Sequence, residues 1–105
     1  MMSEPRLLTL SGELDVATRQ SLRSAFAALA EVEEAIVDLR DVRYVDSASL
    51  AEFAWLADRF RKREAQVVWI IAGASHVERV LEISGLSQTM LIVASPEEAR
   101  QRLHP

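Results

Sequence analysis

Cysteine is missing from all 105 residues, which removes disulfide staples, thiolate metal sites and a cysteine nucleophile at once and suits a reducing compartment such as the cytoplasm. Glycine is scarce. With only Gly12, Gly73 and Gly85, neither a phosphate-cradling loop nor a dinucleotide fingerprint can be assembled, and no Gly-x-Ser-x-Gly elbow occurs. No apolar run approaches bilayer length, and Met1 to Arg6 lacks the basic and apolar parts of an export signal, so neither secretion nor membrane insertion is expected. A formal charge of −4 provides no broad basic field for nucleic acid. His76 and His104 stand without ligand-spaced neighbours, so they are expected as surface residues and no metal is expected. Nothing in this inventory supports an enzyme, and no cofactor is expected.

What is present is a folding chain. Half of the residues are hydrophobic, too many for disorder, and the length fits one domain spanning residues 1–105 with 1–6 as a short tail. Leu7-Leu8-Thr9-Leu10 reads as a strand stopped by Ser11-Gly12, and Asp15 offers an N-cap to a helix over Ala17–Ala30 whose Leu22, Ala25, Phe26 and Leu29 form one stripe. Ala35-Ile36-Val37-Asp38-Leu39 predicts a second strand, buried on both faces in its middle. A helix over Ala48–Arg63 follows. Gln66 to Ala72 is β-branched and closed by Gly73, which predicts a central strand. Ser75 and Glu78 fit a reciprocal capping box, in which the glutamate returns to the serine NH, for a helix ending at Gly85. Met90–Val93 predicts the fourth strand, and Ser95-Pro96-Glu97-Glu98 opens a last helix toward Leu103. Strict alternation of about four strands and four helices predicts an α/β fold with one largely parallel sheet; the pattern leaves strand order open.

The junction Val45-Asp46-Ser47-Ala48-Ser49-Leu50 carries the most chemistry. A strand runs through it into a helix start, where unpaired backbone NH groups and the helix dipole favour negative charge. A serine there is either a cap or a hydroxyl whose phosphorylated form the backbone helps to hold. Ser49-Leu50-Ala51-Glu52 fits a capping box, which assigns Ser49 the structural role and leaves Ser47 upstream, with Asp46 as a turn former. On the helix, Leu50, Phe53, Ala57 and Phe60 form the core stripe, while Trp55 points outward with Ala48, Ala51, Arg59 and Lys62. Trp55 is either a docking anchor or a lone surface aromatic. Asp15 and Thr18 cap and open the first helix, with partner contact as a further role. Arg59-Phe60-Arg61-Lys62-Arg63 reads as a solvated helix end whose cations suit the dipole rather than as a nucleic-acid patch.

Gly12-Glu13-Leu14-Asp15 with Thr18, Ile36-Val37-Asp38-Leu39, Val45 to Leu50 and Val80-Leu81-Glu82-Ile83-Ser84-Gly85-Leu86 together resemble a STAS domain of the anti-sigma factor antagonist type. The resemblance spans Leu7 to Arg102. It implies a module that captures an anti-sigma factor serine kinase, freeing a sigma factor, until the kinase phosphorylates the serine after the loop aspartate; by position that serine is Ser47. A phosphatase would reverse the mark. The family loop usually reads Asp-Ser-Ser/Thr-Gly-Leu, and this chain departs from it at Ala48 and Ser49. Asp46, Ala48, Ser49, Ala51, Trp55, Asp15 and Thr18 are the expected partner contacts. Single STAS domains of this kind also serve as scaffold subunits on the ATPase of a phospholipid-trafficking ABC transporter, which is the alternative expectation.

Overall fold

The structure is a computed structural model that describes residues 4–104; the first three residues of the expected tail lie outside them. Four strands, β1 (Arg6–Leu14), β2 (Glu34–Val45), β3 (Gln66–Ile70) and β4 (Leu91–Val93), alternate with helices α1 (Arg19–Leu29), α2 (Ser47–Lys62), α3 (His76–Ser84) and α4 (Pro96–Leu103). The strands form one all-parallel sheet in the order β1-β2-β3-β4. The α/β reading is thus correct, and β3 is an inner strand as expected.

Sequential strand order dictates where the helices go. Crossovers that share one hand and advance in one direction return on the same side of the sheet. Accordingly Leu22 and Phe26 of α1, Phe53 and Phe60 of α2, and Val77 and Leu81 of α3 share a core with Val37, Leu39 and Trp69. Helix α4 follows the last strand and crosses to nothing. It covers the other face, where Ala99 and Leu103 meet Ile36, Val68, Ile70 and Val93. The two-residue side-chain period of β2 and β3 feeds both layers, which is why these strands read as continuous apolar runs. At the centre Trp69 lies edge-on to Phe26 at 6.0 Å and tilted against Phe53 at 5.3 Å, tying β3 to α1 and α2.

Several boundaries differ from the sequence expectation. β1 continues through Ser11-Gly12 to Leu14, because Gly12 takes φ +76° without leaving the ladder. β2 runs to Val45 rather than stopping at Leu39. Between Thr9↔Asp38 and Ser11↔Asp41, and again between Gly12↔Val42 and Glu13↔Tyr44, β2 holds one residue more than β1. Those extra residues break the apolar alternation of Arg40 to Arg43, so the segment looks like a polar turn although it is strand. α1 begins at Arg19, not Ala17, and its flanking residue is Thr18 with no side-chain cap. β3 ends at Ile70 and β4 starts at Leu91. Ser75 and Ser95 do cap α3 and α4, accepting from the NH groups of Glu78 and Glu98. The glutamates return one residue further out than expected, to the NH groups of Ala74 and Ala94.

On the face shared with α4, Asp38 is 7% exposed. It accepts from Arg40 Nε at 3.0 Å, Nη2 at 2.7 Å and the backbone NH at 3.0 Å. The Arg40 side chain holds this carboxyl below the usual carboxylate range, outweighing burial, with its backbone NH and charge adding to the effect. A carboxyl depressed in the native state contributes stability that is full above the unfolded-state pKa and is lost as pH falls through the native value. Arg40→Met keeps the burial and removes the partner, so its acid unfolding, followed by circular dichroism, is expected to begin at higher pH. An unchanged midpoint would show that the pair contributes nothing to the pH dependence.

Candidate functional site

In a parallel sheet the carboxyl ends of the strands share one rim, where loops leave for the helices. Here the ends of β1 and β2 lie side by side, Leu14 opposite Val45, and the Asp46 NH donates to the Leu14 carbonyl at 3.0 Å. Asp46 is then the N-cap of α2: its extended backbone (φ −89°, ψ 174°) turns the carboxylate onto the Ser49 NH at 2.8 Å. This assigns the cap to Asp46 and not to Ser49. The Ser49 NH holds the Asp46 carboxyl below its usual range against partial desolvation, and the charge of Arg19 adds to this.

Ser47 is consequently the first residue of α2 and is exposed on the rim. Ala48 is half-buried and Ala51 exposed, giving a low surface around the hydroxyl. Ser49 is 0% exposed, and its Oγ makes no hydrogen bond to any of the described residues. It lies under the helix start, out of reach of a docked protein, which corrects its expected role as a contact. Asp46→Ala removes the cap of α2 and is expected to lower the thermal midpoint by roughly 4–8 °C. Ser49→Ala removes a buried hydroxyl without a partner and is expected to be neutral or stabilising. Thermal melts check both; the reverse ranking would make Ser49 the cap.

The β1–α1 loop forms the neighbouring wall. Asp15 Oδ1 accepts from the Ala17 NH at 3.0 Å, and Thr18 Oγ1 accepts from the Asp15 NH and donates to the Glu13 carbonyl, both at 3.0 Å. Both side chains are half-buried and engaged in their own turn, so their first task is to fix the loop. That loop presents Val16, 78% exposed, on the rim. Trp55 lies on α2 with 45% of its surface exposed, beside an ion pair between Arg23 of α1 and Glu52 at 2.9 Å. The structure thus brings Asp15, Thr18, Asp46, Ser47, Ala48 and Ala51 to the rim or the adjoining helix start, with Trp55 farther along α2.

Three rim features escaped the sequence reading. Arg19 acts on Asp46 across the loop, and a basic residue at a helix start gives no warning of that. Tyr44, 45% exposed, stacks on His76 with ring centres 5.2 Å apart. The pair is hidden because Tyr44 lies on the part of β2 beyond Leu39, where the sequence pattern ends the strand. Val16 was simply a loop residue. The basic run at the end of α2 is largely structural. Arg59 pairs with Glu31 at 2.6 Å, Arg63 donates to the Val32 carbonyl at 2.8 Å, and Arg61 and Lys62 pair with Asp58. His104 lies 3.0 Å from Glu34. Among the described residues, no group of three or more His, Asp and Glu is placed to hold a metal ion, and no helix is long and apolar enough to cross a membrane.

A family model described as "Mlab, STAS domain" matches residues 2–94. No protein among the curated sequences matches the chain. Among solved structures, an anti-sigma factor antagonist from Mycobacterium paratuberculosis is 22% identical with a TM-score of 0.83, the match covering 94% of this chain and 85% of that one. The anti-sigma factor antagonist SpoIIAA in its unphosphorylated form is 16% identical with a TM-score of 0.70, over 98% and 94% of the two chains. At such identities the likeness is one of fold.

Proposed function

Because the chain belongs to the STAS domain family, we propose that it is an anti-sigma factor antagonist, a cytoplasmic binding module that performs no catalysis and is switched at Ser47. Unphosphorylated, it captures an anti-sigma factor serine kinase; phosphorylated, it lets the kinase go, and a phosphatase restores capture. The observation that carries this reading is the exposed hydroxyl of Ser47 at the first position of α2, on the rim built by two strand ends. The described solved relatives, named as anti-sigma factor antagonists, support the choice of partner class.

The rim also supplies a mechanism. A phosphoryl group adds roughly −1.5 to −2 charge. The α2 dipole and Arg19 favour that charge, whereas the Asp46 carboxylate already occupies the Ser49 NH and repels a second anion. The modified group is therefore held outward, toward the surface that a partner must cover. Docking would desolvate it or set it against the partner's own acids, so release needs no change of fold. Nucleic acid is not part of this scheme, since the arginines and the lysine closing α2 are committed to carboxylates and carbonyls.

Intact-mass measurement of the protein from its native cells, with Ser47→Ala as control, is the direct test. A phosphatase-sensitive form that the variant lacks supports the switch. Its absence under conditions that inactivate the sigma factor would favour the constitutive scaffold reading instead. Trp55→Ala is expected to fold normally and to weaken capture of the kinase about tenfold or more, as loss of an interface tryptophan does. Unchanged capture in a pull-down would leave Trp55 as a lone surface aromatic.

A further inference from the structure

We propose that the cleft between α1 and α2 takes an acidic side chain of the captured kinase, with Arg23 as its charge partner and Trp55 as its cover. The inference deepens the proposed function and rests on it. Arg23, Glu52 and Trp55 line one cleft of about 370 Å³. Both helices start at the rim, after the neighbouring strands β1 and β2, and Trp55 stands about 12 Å along the α2 axis from Ser47. An interface of ordinary size, about 800 Å² on each partner, covers both places at once.

The ion pair in the cleft is lopsided, and that selects the occupant. The Glu52 side chain is 15% exposed and that of Arg23 57%, so the acid is covered while the cation faces outward. Glu52 Oε2 accepts from Arg23 Nε at 2.9 Å, and among the described residues neither Nη atom of Arg23 has a hydrogen-bond partner. The end of a planar guanidinium is therefore open. A carboxylate fits such an end bidentately, and because Glu52 already holds the plane, less side-chain freedom is lost on binding. The half-exposed Trp55 ring beside it excludes water from the contact, and a lower local dielectric strengthens the attraction. Tryptophan and arginine are also among the residue types that most often carry binding energy at interfaces. Arg19, one turn nearer the rim on α1, adds charge of the same sign. A basic side chain would have to pass the Arg23 cation to reach the covered Glu52.

Titration calorimetry of the full chain against the purified kinase tests the assignment, with circular dichroism as the folding control. Arg23→Gln is expected to weaken capture about tenfold or more, as loss of a charge partner at an interface does. Glu52→Gln keeps an oxygen for Arg23 Nε and removes the competing negative charge. It is expected to tighten capture about twofold to fivefold, the range of an exposed charge interaction. Weaker capture by Glu52→Gln overturns the proposal, because it marks a basic occupant held by Glu52. Capture untouched by Arg23→Gln overturns it as well and leaves the Ser47 switch standing, whereas a wild type that fails to capture the kinase removes both. If Arg23→Gln fails to fold, Glu52→Gln decides alone: tighter capture supports the acidic occupant, and unchanged or weaker capture overturns it.

Discussion

Phe53→Ala is expected to destabilise the fold by about 3–5 kcal/mol, a large part of the roughly 5–15 kcal/mol available to a domain of this size. Phe53 is fully buried and touches both other rings of the central aromatic cluster, Phe26 at 5.8 Å and Trp69 at 5.3 Å. Three elements meet there, so the sheet, α1 and α2 cannot all close on a cavity without one of them losing its seat. Urea unfolding should show a midpoint falling at nearly constant slope. A loss below about 1 kcal/mol would mean that the cluster relaxes freely and is not the keystone of that layer. The variant also separates folding from function, since it lies beneath the rim rather than on it.

Ser47→Glu should leave folding unchanged and reduce capture of the kinase about 100-fold or more, equivalent to roughly 2.7 kcal/mol, because a charge buried at an interface without a partner is costly. Ser47→Ala should bind as tightly as the unmodified protein and resist release. Titration calorimetry with the purified kinase reads both. Equal affinity of all three forms would remove charge at residue 47 as the switch, whatever the family. A single carboxylate carries less charge than a phosphoryl group, so the glutamate variant sets a lower bound on the natural effect.

The elements most readily read from the sequence were those whose local chemistry and tertiary role agree. Ser75 with Gly85, and Ser95 with Pro96, state the ends of α3 and the start of α4 in residue types alone. Trp69 sits in a run too apolar and β-branched to be anything but an inner strand. The failures have one physical root. Pattern reading assumes one residue opposite one residue, and β2 breaks that rule twice beside Arg40 and Arg43, which hid half of the strand and Tyr44 with it. At the rim, Ser49 mimicked a cap because its spacing to Glu52 is right. The true cap, Asp46, could be told from a turn former only by knowing that the Val45 end of β2 is stapled to Leu14. Arg19 was invisible for the same reason, since its neighbour in space is far away in sequence.

The contrast between the two tryptophans makes the molecule its own optical instrument. Trp69, sealed among aromatic rings, will emit toward the blue and report on the integrity of the interior. Trp55, nearly half in water, will emit toward the red and shift when a protein covers α2. Phenylalanine in place of either one leaves a single-colour probe, so unfolding and docking can be followed separately in the same cuvette without attaching a dye.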